Sequence, residues 1–262
     1  MTNQEPILLR EDRPDGRTTL VLNRPAQFNS LSNAMLETLL AELQSIAADK
    51  TVRVVVLQGA GKAFCAGHDL KEMRSNHDKA FMQALFKLCA KVMLTIQEMP
   101  QPVIARIHGI ATAAGCQLVS MCDLAVAADV AKFAVSGINV GLFCSTPAVG
   151  LARNMGRKEA LEMLLTGEFI NAGEAQRRGL VNRVVALGDL DEAVEHLVQS
   201  ILAKSPVAVA TGKQMFYKQL EMGIEAAYQY AGEVMACNMM AGDAAEGIDA
   251  FIEKRKPVWQ AA

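Results

Sequence analysis

Two apolar runs, Val54 to Gln58 and Val103 to Ile107, each end in a cluster of small residues that gives way to a helical pattern. No other feature constrains the fold as much. A strand without polar alternation is covered on both faces, as in a parallel sheet flanked by helices. Gly59-Ala60-Gly61-Lys62 follows the first run. Gly109-Ile110-Ala111-Thr112-Ala113-Ala114-Gly115-Cys116-Gln117 follows the second, leading into a short helix near 115–121 and a third run, Leu124 to Ala128. Strand, helix, strand, helix, strand predicts βα units of an α/β fold.

The rest of the chain fits around that core. Thr18 to Leu22 pairs with Ile7 to Glu11 across the turn Arg13-Pro14-Asp15-Gly16. Ser32 reads as an N-cap, with Leu36, Leu39, Leu40, Leu43 and Ala47 at helical spacing over 33–48. A second long helix spans 78–98 and is stopped by Pro100 and Pro102. From about 145 helices dominate, at 148–155, 157–165, 172–178, 190–203 and 206–240, with Arg183 to Val185 a brief strand. The organisation expected is an α/β core over 1–200 and a helical C-terminal region over 201–262. Met222, Met235, Met239 and Met240 leave that region apolar, which suits a subunit interface and ordinary core packing equally.

Lys and Arg total 26 against 28 Asp and Glu, a net charge of −2, so the chain lacks the positive excess of a nucleic-acid binder. With 51% hydrophobic and 21% charged residues it is not disordered. Its uninterrupted apolar runs are too short to span a bilayer, and no membrane partner is expected. The first residues, MTNQEPILLREDRPDG, lack the apolar stretch of a secretory signal and carry acids early, unlike a transit peptide. The six cysteines, at 65, 89, 116, 122, 144 and 237, form no CxxC pair and read as buried free thiols. A cytoplasmic location follows as the expectation. The four histidines, at 68, 77, 108 and 196, form no HxxxH, so no bound metal is expected.

Chemistry is concentrated in two loops. Phe64-Cys65-Ala66-Gly67-His68-Asp69-Leu70 and the stretch from Gly109 to Gln117 both place small residues between a buried strand and a helix start. There backbone can approach a ligand closely, and free N–H groups attract negative charge. Two such groups on one point form an oxyanion hole, although Gly/Ala turns also serve plain packing. Asn23-Arg24-Pro25, Asn29-Ser30-Leu31, the two loops and Met121-Cys122-Asp123-Leu124, in this order and separation, resemble the enoyl-CoA hydratase/isomerase (crotonase) superfamily over about residues 8 to 258. The resemblance implies a spiral of ββα turns and a helical C-terminal region that forms a homotrimer or hexamer. It implies an acyl-CoA thioester as substrate, with coenzyme A part of that substrate and no tightly bound cofactor. The oxyanion donors would be the N–H groups of His68 and Ala114, the latter replacing a glycine common in the family. Ala66, Gly67 and Lys71 would lie along the adenine, pantetheine and phosphates.

The chain departs from the family at both proton-transfer positions. Gln117 and Gly137 stand where the resemblance places two glutamates. An amide exchanges no proton near neutrality, and glycine has no side chain. His68, Gln117, Ser136, Asn139, Cys144 and Ser145 remain as candidates around the acyl group. His68 can serve as acid, base or hydrogen-bond donor. Its Gly-His-Asp setting resembles the methylmalonyl-CoA decarboxylase branch, whose tyrosine position is Cys144 here. Decarboxylation needs no base to form the enolate. Thioester hydrolysis through water held by Gln117 and Ser136, and acyl-CoA binding without turnover, are the other readings. Cys144 has no evident base nearby and reads as a lining residue. Asp69 reads as a helix cap, Asp123 as the anchor of the turn before the third strand, His108 as a packed side chain with one hydrogen bond, and His77 and His196 as solvent residues.

Overall fold

The computed structural model describes residues 5–260. An N-terminal hairpin, β1 (Leu8–Asp12) with β2 (Arg17–Leu22), precedes helix α1 (Asn33–Ala48). Ser32 caps α1 by accepting the N–H of Met35, as its position in the sequence predicts. Three ββα turns follow. The first is β3 (Val54–Gly59), β4 (Ala63–Cys65), α2 (Leu70–Ser75) and α3 (Lys79–Glu98). The second is β5 (Val103–Ile107), β6 (Ile110–Thr112) and α4 (Ala114–Met121). The third is β7 (Leu124–Ala128), β8 (Lys132–Ala134) and α5 (Ser145–Asn154).

Each turn gives its first strand to one sheet and its second to another. The larger sheet runs β1-β2-β3-β5-β7-β10, with β10 (Arg183–Val185) at its edge, and is parallel apart from the hairpin. The smaller runs β4-β6-β8-β9, with β9 (Ile170–Asn171) antiparallel to β8. This is the ββα spiral the resemblance implies. The second sheet is absent from the periodicity reading because strands of two or three residues contain no full hydrophobic period.

The larger sheet is covered on both faces. Val55, Leu57, Val103, Ala105 and Ile107 pack with α1, α3 and α4. Val54, Val56, Ile104, Val126 and Ala128 pack against Leu190, Val194 and Val198 of α8 (Leu190–Leu202), with α6 (Arg157–Thr166) and α7 (Ala172–Arg177) intervening in sequence. Alternate residues thus feed two cores, which is why these strands are apolar throughout. Helix α3 has the length and hydropathy to cross a membrane, although it has no uninterrupted apolar run. Its Leu85, Cys89, Val92, Met93 and Ile96 are buried in the core.

The C-terminal region differs from its expected form. The helix expected over 206–240 is two, α9 (Pro206–Gln219) and α10 (Ile224–Met239), broken before Gly223, and a further helix, α11 (Gly242–Ile252), follows. Apolar residues on several faces of this stretch hide the break, since the hydrophobic pattern continues across it. Helix α5 begins three residues before its expected start, and residues 136–140 form a single 3-10 turn.

Candidate active site

The motifs of the first hundred residues work as a clasp. Asn29 is fully buried; its amide donates to the carbonyls of Ala60, Ala63 and Phe64, while its Oδ1 accepts the N–H of Arg24. The Arg24 guanidinium bonds the Ser30 carbonyl at 2.8 Å and the Asp69 carboxylate at 3.0 Å. Asp69 also caps α2 through the N–H groups of Lys71 and Glu72, the capping role its sequence position predicts. Hydrogen bonding holds this carboxylate below its usual range against the opposing effect of burial.

That clasp fixes the backbone at His68. Leu31 forms an isolated parallel bridge with His68: its N–H donates to Gly67 O at 2.7 Å and its carbonyl accepts the Asp69 N–H at 3.3 Å. In such a bridge one residue uses both main-chain groups, so the N–H of His68 is directed to the other side. Gly67 has φ +91°, and a Cβ there would stand 2.8 Å from Ala113 Cβ, 3.0 Å from Thr112 O and 3.2 Å from Ala114 N. The first loop therefore lies directly on the second. Ala113 is itself strained, at φ 50° and ψ −122°, a region alanine rarely occupies. Its N–H donates to Ala134 O, and Ala114 then opens α4 with an N–H that has no main-chain acceptor.

Gln117 lies three residues beyond Ala114 on the same helix face and is buried, and its Oε1 has no partner among the described residues. His68 has the same property at Nε2, while Nδ1 is 3.4 Å from the Leu31 carbonyl. The imidazole meets the ring of Phe86 edge-on, centroids 5.5 Å apart. Burial holds its pKa below the ordinary imidazole value, against the weaker opposing effects of the Leu31 hydrogen bond and then of Glu72.

Phe86 links this point to an apolar groove of about 520 Å³, walled by Met73, Met82, Phe86, Val140 and Leu142. Asp78 at its rim accepts the Phe81 N–H as the cap of α3, and Arg74 and Lys79 supply positive charge there. His77, expected to face solvent, is exposed and lines the same rim. The groove depends on residues from α2, α3 and the 140–142 segment, which meet only in the folded chain.

The remaining candidates divide. Ser136 shares a 2.9 Å hydrogen bond with Thr112, which places it beside the two loops. A Cβ on Gly137 would stand 2.5 Å from Leu142 O and 2.6 Å from Cys144 Sγ, so the position is closed to a larger residue. Cys144 is buried, which raises its pKa. Ala66 donates its N–H to Phe28 O at 3.0 Å. Asn139 turns its amide to Gly167 O, the exposed Ser145 hydroxyl bonds its own turn at Phe143 O, and Lys71 is exposed and outside the groove lining. His108 donates from Nε2 to Gly61 O at 2.9 Å and has no partner at Nδ1 among the described residues, the single bond predicted for it. Five cysteines are buried and Cys237 is exposed; burial pushes Cys65, Cys89 and Cys116 up to about 12. Among the described residues no three His, Cys, Asp or Glu side chains gather as a metal site.

A family model described as enoyl-CoA hydratase/isomerase matches residues 14–262. The rat protein named enoyl-CoA hydratase domain-containing protein 3, mitochondrial, is 45% identical over 97% of this chain and 85% of its own length. A crystal structure described as an enoyl-CoA hydratase of Mycobacterium smegmatis shares 60% identity with a TM-score of 0.96, covering 97% of this chain and 99% of that one. The human enoyl-CoA hydratase domain-containing protein 3 shares 44% with a TM-score of 0.94, over 97% and 100% of the two chains. The cytoplasmic expectation does not survive this comparison, since the rat relative carries a mitochondrial designation. Buried free thiols report a reducing compartment without saying which one, so the cysteines never discriminated between the two.

Proposed function

This chain belongs to the enoyl-CoA hydratase/isomerase family, and from that premise we propose that it binds an acyl-CoA thioester and stabilises the thioester enolate without a carboxylate base. One observation carries the reading. The N–H groups of His68 and Ala114 are both free of main-chain partners and sit on loops packed against each other at Gly67, next to an apolar groove. The thioester oxygen accepts from these two donors, and the acyl chain lies in the groove. Negative charge grows on that oxygen as the enolate forms, and each fixed donor is worth roughly 2.7–4 kcal/mol of barrier. Ala66 and Gly67 offer small residues along the pantetheine. Lys71, Arg74 and Lys79 supply positive charge for the phosphates.

Water addition by two carboxylates is not open to this chain. Gln117 and Gly137 occupy those positions, and the nearby acids Asp69, Glu72 and Asp78 are bonded to Arg24, Asn33 and Phe81. That lack of a carboxylate favours a second reading, decarboxylation of a malonyl-type thioester, in which CO₂ departs and leaves its electron pair in the enolate. The C-terminal helices would join copies of the chain into a homotrimer or hexamer, as the family resemblance implies.

The test is incubation of the purified protein with unsaturated, saturated and malonyl-type acyl-CoAs. Mass spectrometry then separates water addition, double-bond migration, CO₂ loss and thioester cleavage. Thermal stabilisation by these esters is the expected result whichever product forms. Stabilisation without turnover assigns a binding protein; no stabilisation by any ester overturns the reading.

A further inference from the structure

The protonation pattern of His68 is written in its surroundings. Nδ1 faces the Leu31 carbonyl, which can only accept, so Nδ1 carries the hydrogen and the neutral ring holds its lone pair on Nε2. Nε2 is buried and has no partner among the described residues. The ring is held by the edge of Phe86 on α3 and by a carbonyl fixed in the Leu31–His68 bridge. A pre-oriented lone pair is therefore carried by the same residue whose N–H is offered to the thioester oxygen.

We propose that Nε2 of His68 is the base that removes and returns a proton at the α-carbon of the bound acyl thioester, taking over the proton transfer that Gln117 and Gly137 cannot perform. The proposal rests on the thioester reading above. In the step the α-C–H bond breaks and its proton bonds to Nε2. The electron pair moves into the carbonyl, and the charge settles on the oxygen facing the N–H groups of His68 and Ala114. The resulting imidazolium keeps its Nδ1–H on the Leu31 carbonyl. Reversal delivers a proton or, in heavy water, a deuteron, so no co-reactant is needed. Burial favours the neutral form of the resting imidazole. Glu72 on α2 is the charged group acting on it and favours the imidazolium, while Leu31 and the Phe86 face of α3 bring no charge. Leu31 is a positioning residue in this scheme.

The experiment uses butyryl-CoA in deuterium oxide, with α-deuteration followed by mass spectrometry and binding by thermal stabilisation. Wild-type protein is expected to exchange the α-hydrogens. Exchange in His68→Ala and His68→Asn is expected to fall by about 100-fold or more, with stabilisation by butyryl-CoA retained. The asparagine variant keeps an N–H for the Leu31 carbonyl and loses only the basic atom, so a folding defect in the alanine variant leaves the test intact. The wild-type rate should rise with pH through a midpoint below about 6.5 and level off above it, and imidazole added to His68→Ala should restore part of it. Retained butyryl-CoA binding with equal exchange in wild type and both variants, or with no exchange in wild type, overturns the base and leaves the thioester reading standing. Absence of stabilisation by butyryl-CoA overturns that reading and the base together.

Discussion

At the scale of single residues, Gly137 stands where the family resemblance implies a glutamate. The glycine is not a vacancy awaiting a side chain. Leu142 O and Cys144 Sγ stand within 2.6 Å of where a Cβ would be, and the nearer of the two is backbone, which cannot rotate away. Gly137→Glu, alone or with Gln117→Glu, is therefore expected to restore no hydratase activity towards crotonyl-CoA. Overpacking of this kind costs roughly 1–3 kcal/mol, a Tm lower by roughly 2–4 °C per kcal/mol in a chain of this size. Calorimetry and an assay of water addition check both parts; a stable, active double variant would show that the 136–144 segment yields easily. Ala113 tells a related story on the other loop. Its positive φ is a local strain of the kind that survives only where surrounding structure enforces it, here the Ala113 N–H on Ala134 O and the Gly67 contact.

At the scale of elements, α9 is bolted to the floor of the spiral by one buried polar group. The Lys213 ammonium donates to Ile96 O, Gln101 O and Asp123 Oδ2, all at 2.7–2.8 Å. Asp123 also accepts the Val103 N–H at 2.6 Å and the Tyr217 hydroxyl at 2.9 Å. Burial disfavours the charged form of each partner, raising Asp123 and Tyr217 and lowering Lys213, while the contact between them works the other way for the Asp–Lys pair. Asp123 follows closely on α4, the helix that begins at Ala114, so α9 braces the far end of that helix. Lys213→Met leaves a buried carboxylate without its cation and is expected to destabilise by about 3–5 kcal/mol. Lys213→Met with Asp123→Asn should cost less than the sum of the singles, since neither charge is then stranded; urea unfolding of all three variants measures this. Additive losses would show that the pair is not coupled.

At the scale of the whole molecule, α10 carries apolar side chains to the surface. Ile224, Tyr228, Met235 and Met239 are 76%, 75%, 70% and 50% exposed and fall on one side of the helix. The row is contiguous rather than scattered, which suits association with another surface. If it joins copies of this chain, Tyr228→Asp with Met235→Glu should reduce the mass measured by light scattering from a multiple of 28.2 kDa to that value. A wild-type protein that already runs as a monomer would remove α10 as a subunit contact.

What was legible in the sequence was local or periodic. The hairpin, the Ser32 cap, the Asp69 cap and the apolar strands follow from turn chemistry, capping and burial patterns that act within a few residues. His68, Ala114 and Gln117 could be singled out because their loops have a recognisable order along the chain. Tertiary structure alone decided the rest. It built a second sheet from strands too short to show a period, and it split the last long helix within a continuous apolar pattern. It put Lys213 on Asp123 across ninety residues, walled the groove with Phe86, Met82 and Leu142, and paired the Asn139 amide with Gly167 O. Those outcomes depend on which distant surfaces meet when the core closes. Neighbouring residues set the dihedral angles, and long-range packing sets the partners of each side chain.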